Sequence, residues 1–155
     1  MFDVIIAANG KGTRANTDKL AAALGESTVL AHTINAFRNL NCVNKIILVS
    51  DLDYDFPSVT KINGGSTRAE SVKNGLRNAT SEYVLIHDGA RPFVSRDLIL
   101  KIMSDTVTYG SSVPFTPVTD SIRKIENGAI TVVDRRDYVT VQTPQGYLRE
   151  EITAA

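Results

Sequence analysis

The feature that most constrains this chain lies in its first twenty residues, where an apolar run ends in a glycine-rich, cationic segment. The run covers residues 4–8, and Gly10 and Gly12 follow it. Continuous apolar runs of this kind are typical of buried parallel strands. Glycines at the end of such a strand let the backbone approach a ligand and direct several N–H groups at one anion. We therefore expect a loop that binds a triphosphate. Its cations are Lys11, Arg14 and Lys19.

Two familiar phosphate-binding loops do not match this spacing. The segment lacks the Gly-Lys-Ser/Thr ending of a Walker loop and the third glycine of the dinucleotide fingerprint. A Gly-x-Gly-x-Arg loop taken alone is equally compatible with an ordinary turn between a strand and a helix.

The composition limits the possible function classes. At 155 residues the chain fits one domain, residues 1–155, that needs neither disulfides nor a metal to fold. Its 17 lysines and arginines balance 17 aspartates and glutamates, so no positive field favours nucleic acid. Cys42 is the only cysteine, which excludes a disulfide within the chain and a zinc site built from thiolates. No apolar run reaches the roughly 18 residues of a membrane-spanning helix, so we expect a cytoplasmic protein without membrane contact.

Apolar runs alternate with helical patterns through the first hundred residues. This alternation predicts an α/β fold with a Rossmann-like open, mostly parallel sheet and helices on both faces. After the first strand, the predicted strands are residues 45–50, 59–62 and 83–86, and the predicted helices are residues 28–37, 68–79 and 97–107.

The pattern changes after the last of these helices. Strands are predicted at residues 113–117, 120–125 and 129–133, and Asn127-Gly128 is a hairpin turn signal. We interpret residues 113–141 as a protruding β-arm. Because an isolated hairpin is marginally stable in water, we expect the arm to pack against a second copy of the chain in a homodimer.

Three unusual clusters follow predicted strands, at residues 9–19, 64–71 and 87–92. Ligands of an open α/β sheet bind beyond the carboxyl ends of its strands, so we expect these clusters to form one site. Asp88 follows a buried strand and is placed to hold Mg²⁺ or a ribose hydroxyl, with an Asx turn as the alternative. We interpret His87 as packed or backbone-bonded rather than catalytic, and Asp3 and the acidic loop at residues 51–55 as solvated.

These residues match a known family along the whole chain. The chain resembles the 2-C-methyl-D-erythritol 4-phosphate cytidylyltransferases, with ribitol-5-phosphate cytidylyltransferases as close relatives. Arg123 after Asp120-Ser121-Ile122 favours the first of the two. The motifs that carry the resemblance are the loop at residues 9–19, Leu30-Ala31-His32-Thr33, residues 64–76, His87-Asp88-Gly89-Ala90-Arg91-Pro92, Thr119-Asp120-Ser121-Ile122-Arg123, and Gln142-Thr143-Pro144-Gln145-Gly146-Tyr147.

The resemblance implies a reaction and its participants. CTP and 2-C-methyl-D-erythritol 4-phosphate would give CDP-methylerythritol and pyrophosphate in non-mevalonate isoprenoid biosynthesis, with Mg²⁺ and a homodimer. The alternatives are a ribitol-5-phosphate cytidylyltransferase and a truncated module that binds CTP without turnover. A generic sugar nucleotidyltransferase would explain only the first loop.

The resemblance also implies roles for individual residues. Arg14 and Lys19 would stabilise the charge on the α-phosphate of CTP, as expected for a reaction that needs alignment and countercharge. Ala8, Asn9, Gly10, Gly12, Gly65 and Ser71 would bind the nucleotide. Arg91, Ser121, Arg135 and Thr143 would bind the sugar phosphate, with Ser121 and Arg135 reaching across from the partner's arm. Asp88 would meet Mg²⁺ or the substrates.

The chain departs from the family pattern in several places. Asn9 stands where the family has a small residue, usually Ala or Gly, and Ser121 replaces a threonine. The gap between Arg14 and Lys19 is shorter than usual. The resemblance also implies that the C-terminal part of the family fold lies beyond this sequence, which ends at Ala155 where family members continue.

Overall fold

The computed structural model describes residues 1–9 and 19–155. Its helices and strands follow in chain order. They are β1 (Phe2–Ala7), β2 (Ala23–Leu24), β3 (Ser27–Thr28), α1 (Val29–Arg38), β4 (Val43–Val49), β5 (Val59–Ile62), α2 (Arg68–Asn78), β6 (Tyr83–Asp88), α3 (Arg96–Tyr109), β7 (Ser111–Ser112), β8 (Phe115–Pro117), β9 (Arg123–Glu126), β10 (Ala129–Val132), a 3₁₀ turn (Arg135–Asp137), β11 (Val139–Val141), β12 (Gln145–Leu148) and α4 (Arg149–Ala154).

The central sheet has six strands in the order β5-β4-β1-β6-β12-β7. The first four are parallel neighbours, and β12 runs antiparallel to both β6 and β7. β1 lies near the middle and is buried almost throughout, as its continuous apolar run predicts. The predicted α/β class and mostly parallel sheet are therefore confirmed. β12 was not predicted, because its four residues Gln-Gly-Tyr-Leu show no strand-like run.

Helices cover both faces of the sheet, as predicted. On one face α1 and α3 bury Leu30, Ile34, Phe37 and Ile99 against alternate residues of β1. On the other face α2 packs Leu76 over β1 and β4, and α4 joins the same cluster. The hydroxyl oxygens of Thr28, Thr67 and Ser95 accept a backbone hydrogen bond at the N-termini of α1, α2 and α3 and stabilise these helix starts. Among the residues described, no helix combines the length and apolar character needed to cross a membrane.

The arm consists of two short antiparallel pairs outside the main sheet, β8 with β11 and β9 with β10. Asn127 and Gly128 adopt positive φ angles of 50° and 80°, which fit the tight hairpin turn that the sequence predicts. The predicted strand boundaries need correction. β9 starts at Arg123 rather than at residue 120, and residues 113 and 114 precede β8.

The expectation that Asp3 is solvated was wrong. Asp3 lies in β1 with its side chain fully buried. Its carboxylate accepts hydrogen bonds from the backbone N–H groups of Thr80 and Ser81, from the Ser81 hydroxyl at 2.8 Å and from Asn44 Nδ2 at 2.9 Å. Burial alone would raise the pKa of this carboxyl, but the hydrogen bonds lower the pKa below its ordinary value. Asp3 therefore ties together three segments at the amino ends of the strands.

Replacing Asp3 with Asn should lower the free energy of unfolding by about 2–4 kcal/mol, because one amide oxygen cannot satisfy all the donors that converge on the carboxylate. This difference in the free energy of unfolding should have its full size above pH 3.8, the ordinary pKa of aspartate. It should shrink as the pH falls through the lower pKa that Asp3 has in the folded protein. Urea unfolding between pH 7 and pH 3 measures this. Asp53→Asn is the matched control, since Asp53 is exposed and lies 3.6 Å from Lys61 Nζ. Equal effects of the two substitutions would contradict the buried role of Asp3.

Candidate active site

The carboxyl ends of the parallel strands meet at one edge of the sheet. Ala7 of β1 is aligned with Val49 of β4 on one side and with Asp88 of β6 on the other. The polar residues that follow these strands are therefore neighbours. The predicted convergence of the three clusters is confirmed for their described parts. Gly10, Gly12 and Arg14 lie outside the described residues, and their roles stay predictions.

The segment between β5 and α2 forms a glycine turn, Gly64-Gly65, beside the ends of β1 and β4. The N–H of Gly65 donates to Ser71 Oγ at 3.0 Å, and Ser71 Oγ in turn donates to the carbonyl oxygen of Thr67 at 3.0 Å. Asn9 Nδ2 donates to the carbonyl oxygen of Gly65 at 3.0 Å. The structure thus brings together Asn9, Gly65 and Ser71, three of the residues predicted to bind the nucleotide.

Ala8 lies at the same edge but is almost fully buried. Its N–H donates to the carbonyl oxygen of Val49 at 2.9 Å, and its carbonyl accepts from Ser50 Oγ at 3.0 Å. A methyl group on Gly89 would lie 3.1 Å from Ala8 Cβ, so these two backbones approach closely. The N–H of Ala8 is therefore used within the sheet, and the role of Ala8 toward the nucleotide stays a prediction.

Asp88 lies between two arginines. Its Oδ1 accepts from Nε and Nη2 of Arg68, at 3.2 and 2.9 Å, and its Oδ2 accepts from Nε of Arg91 at 3.1 Å. Arg91 also donates to Gln142 Oε1. The N–H of Asp88 lies 3.4 Å from Thr143 Oγ1. Asp88 therefore orients two guanidinium groups at the mouth of the site.

The same geometry tests the predicted magnesium site. Both carboxylate oxygens of Asp88 accept from arginines, but Oδ2 accepts only from Arg91 Nε among the described residues and keeps a second lone pair. The described residues also contain no group of three or more His, Cys, Asp or Glu side chains arranged to hold a metal ion. Because Mg²⁺ typically takes only one or two protein carboxylates, the role of Asp88 toward Mg²⁺ stays a prediction.

His87 fixes the turn that carries Arg91. Its ring is fully buried edge-on to Phe37, with ring centroids 5.0 Å apart. Burial lowers the pKa of the imidazole, so the ring is neutral at pH 7. Nε2 lies 3.0 Å from the carbonyl oxygen of Arg91 and donates to it, since a carbonyl only accepts. Nδ1 has no hydrogen-bond partner among the residues described. His87 is thus a packed, backbone-bonded residue, as its sequence context predicted.

A cavity of about 750 Å³ opens beside this turn. Its polar lining includes Lys19, Arg91, Gln142 and Thr143, and its apolar lining includes Phe93. Three residues predicted separately from the sequence, Lys19, Arg91 and Thr143, therefore share one cavity. Lys19 and Arg91 come from separate segments of the chain and place two positive charges in the lining of this cavity. Two positive charges suit an anionic substrate.

The two remaining predicted residues lie elsewhere. Ser121 and Arg135 line a smaller cavity of about 260 Å³ on the arm, together with Arg123 and Asp134. This cavity shares no described lining residue with the one around Arg91. Arg135 donates through Nη1 to the carbonyl oxygen of Thr119. The structure of the single chain therefore joins Ser121 to Arg135 but does not join them to Lys19.

Sequence reasoning assigned no role to Arg68 or Gln142, although both lie within its quoted motifs. Arg68 is the first residue of α2, one step after the cap Thr67, and its partner Asp88 is 20 residues away. A signal was available, because a cation at the start of a helix is unfavourable unless it has an anionic partner.

An open α/β sheet with a glycine turn, clustered cations and a cavity at its carboxyl edge is the arrangement expected of a nucleotidyltransferase. A family model described as 2-C-methyl-D-erythritol 4-phosphate cytidylyltransferase, IspD, matches residues 2–155. The chain belongs to this family.

Relatives and solved structures agree with that placement. The cytidylyltransferase of Bacillus thuringiensis strain Al Hakam is 36% identical over 163 residues, which cover 95% of this chain and 72% of the relative. That of Cereibacter sphaeroides is 38% identical over 167 residues, covering 97% and 74%. The crystal structure of the Thermus thermophilus enzyme has a TM-score of 0.77 at 33% identity, covering 96% of this chain and 70% of that one. The structure of the bifunctional IspDF from Campylobacter jejuni has a TM-score of 0.86 at 25% identity, covering 99% and 42%.

The family assignment gives the reaction. Members join CTP and 2-C-methyl-D-erythritol 4-phosphate in isoprenoid biosynthesis, and this reaction, rather than the ribitol phosphate alternative, is the one that the relatives support. The chain spans about 72% of the length of the Bacillus relative.

Proposed function

We propose that the cavity beside Arg91 is where the two substrates react. An oxygen of the sugar phosphate attacks the α-phosphorus of CTP and forms a new P–O bond. The bond between the α-phosphorus and the bridging oxygen breaks, and pyrophosphate leaves with that electron pair. The observation that carries this proposal is the shared lining of Lys19, Arg91 and Thr143 around one cavity at the carboxyl edge of the sheet. Release of pyrophosphate from CTP, dependent on added sugar phosphate, is the test.

The cations supply what this reaction needs. Negative charge shifts onto the phosphoryl oxygens and the leaving group in the transition state, so fixed positive groups lower the barrier. Lys19 lines the cavity and is proposed, with Arg14, to face the α-phosphate. Arg91 is proposed to hold the phosphate of the second substrate, because Asp88 and Gln142 fix its guanidinium.

The nucleotide is proposed to lie along the other half of the edge. The glycine turn lies beside Asn9 and carries no side chains, so a flat base can approach its backbone. Ser71 supports the turn from α2. Gly10 and Gly12 complete the proposed nucleotide site on the sequence argument given above. The use of CTP also supports a cytoplasmic location for the enzyme.

Dimerisation through the arm is the next part of the proposal. All eight residues of β9 and β10 are exposed, and Ile125, Ile130 and Val132 have 73%, 69% and 75% of their surfaces accessible. A hairpin with such an apolar surface is unstable in water unless another surface covers it. A second copy would bury this surface and bring Ser121 and Arg135 to the neighbour's sugar-phosphate site.

We also propose that Mg²⁺ takes part as a companion of CTP. Mg²⁺ commonly binds phosphate oxygens and retains several water molecules. The triphosphate itself offers such ligands, whereas both oxygens of Asp88 already accept hydrogen bonds from arginines. In this proposal the metal arrives on the nucleotide, and Asp88 serves the arginines.

Replacing Asp88 with Asn should raise the KM for the sugar phosphate about tenfold, because an amide NH₂ group cannot accept from a guanidinium. The gain in CTP affinity on adding Mg²⁺ should survive. Steady-state kinetics and calorimetric titration of CTP with and without Mg²⁺ measure the two effects. Asp105→Asn is the control, since Asp105 only pairs with Lys101 one turn away on α3. Loss of the magnesium increment in Asp88→Asn would instead make Asp88 a metal ligand, as the sequence suggested.

A further inference from the structure

The glycine turn is held in shape by side chains from separate segments. All four of its backbone polar groups are bonded. The N–H of Gly64 donates to Asp51 Oδ1 at 2.8 Å, and the carbonyl of Gly65 accepts from Asn9 Nδ2 at 3.0 Å. Two side chains of α2 bond the other two groups. The N–H of Gly65 donates to Ser71 Oγ at 3.0 Å, and the carbonyl of Gly64 accepts from Asn74 Nδ2 at 3.3 Å. The turn therefore has a defined conformation before any ligand arrives.

Asn9 closes a ring of hydrogen bonds within this arrangement. Its Oδ1 accepts from the N–H of Asp51 at 3.0 Å, while its Nδ2 donates to Gly65. Asp51 in turn accepts from the N–H of Gly64. The Asn9 side chain thus connects the end of β1 to Asp51, just after β4, and to the glycine turn. An alanine or glycine at position 9 could form neither bond.

Packing shows how closely Asn9 fits the turn. A methyl group added to Gly64 would lie 2.8 Å from Asn9 Cβ and closer still to its Cγ and Nδ2. Atoms cannot approach this closely, so position 64 has room for glycine only while Asn9 occupies the space. The two positions are sterically coupled.

We propose that Asn9 is a positioning residue that pre-forms the glycine turn for CTP, an inference that rests on the proposed nucleotide site. Both ends of its amide are bonded to protein, so it acts through the turn rather than through direct contact with the base. The carbonyl of Gly65 keeps a second lone pair for a ligand. A turn ordered in advance lowers the entropic cost of binding, so the benefit of Asn9 falls on CTP affinity rather than on the chemical step.

The first test is Asn9→Ala, examined by calorimetric titration of CTP, by kinetics and by amide hydrogen exchange. The Kd and KM for CTP should rise about tenfold, with kcat changed less than about twofold. The amides of Asp51 and Gly64 should exchange faster. Asn44→Ala is the matched control, because Asn44 also bonds across segments, to Asp3 at 2.9 Å, but at the opposite end of the strands. It should lower stability and leave CTP affinity unchanged.

The second test uses the steric coupling. Gly64→Ala should weaken CTP binding more than Asn9→Gly does, whereas the double variant Asn9→Gly/Gly64→Ala should bind CTP about as well as Asn9→Gly alone. A double variant as weak as Gly64→Ala overturns the inference, because Asn9 would not be the group that shapes the turn.

The outcomes separate the inference from the proposed function. Unchanged CTP affinity in Asn9→Ala, in a chain that binds CTP normally, overturns the inference alone. Unchanged exchange at Asp51 overturns it as well, whatever the affinity. A wild-type chain that does not bind CTP overturns the proposed nucleotide site and the role of Asn9 in CTP binding with it.

Discussion

Replacing Lys19 with Ala should lower kcat about a thousandfold while changing the Kd for CTP by less than about tenfold. Lys19 lines the cavity proposed for the reaction, and among the described residues no hydrogen bond or ion pair is formed by its ammonium group. A cation that faces charge developing in the transition state contributes mainly to the rate constant. Single-turnover kinetics and calorimetric CTP titration measure the two quantities separately.

The matched control is Lys45→Ala. Lys45 is a half-buried lysine of β4 that donates to the carbonyl oxygen of Asn78 at the amino ends of the strands. Its loss should leave kcat within about twofold. Equal losses of turnover and CTP affinity in Lys19→Ala would assign Lys19 to nucleotide binding in general rather than to the transition state.

Mixing a Lys19→Ala chain with an Arg135→Ala chain should restore about one quarter of wild-type activity, although each chain alone is nearly inactive. Half of the dimers formed by random exchange contain both chains. If Arg135 completes the partner's site, one of the two sites in each mixed dimer carries neither lesion. Sedimentation should first establish that the wild-type chain is a dimer at micromolar concentration. A monomer would refute the arm interface.

A second mixture provides the control. Lys19 and Arg91 line the same cavity of one chain. Mixing Lys19→Ala with Arg91→Ala should therefore restore nothing, because every site then lacks one of the two residues. Recovery in this control, or none in the Arg135 mixture, would contradict a site shared between subunits.

Much of the fold could be predicted from local pattern. The runs that became β1, β4 and β6 are apolar because parallel strands are buried on both faces. The hydroxyl oxygens of Thr28 and Thr67, which directly precede the helical stripes of α1 and α2, accept the capping hydrogen bonds typical of such positions. Both kinds of feature depend on residues that are close together in the chain, so they can be recognised from the sequence alone.

Features that depend on distant residues were missed. The buried Asp3 carboxylate is stabilised by five donors from residues 44, 80 and 81, and nothing near Asp3 in the sequence indicates them. β12 pairs with β6 through tertiary contacts rather than through an apolar pattern of its own.

The candidate site shows the same division. Gly65, Asp88 and Arg91 were recognised because they belong to short motifs beside strand ends. That Asp88 holds both Arg68 and Arg91 could not be predicted, since the pairing joins residues 20 positions apart. The role of Asn9 at the nucleotide stays a prediction, and its bonds to Asp51 and Gly65 could be found only from the fold.

The central claim is that this chain joins CTP to 2-C-methyl-D-erythritol 4-phosphate. The most direct measurement incubates the chain with CTP, Mg²⁺ and either that substrate or ribitol 5-phosphate, and follows the products by phosphorus NMR. We predict CDP-methylerythritol and pyrophosphate in equal amounts, with much slower reaction of ribitol 5-phosphate. CTP binding without pyrophosphate release from either substrate, or faster reaction of ribitol 5-phosphate, would contradict the claim.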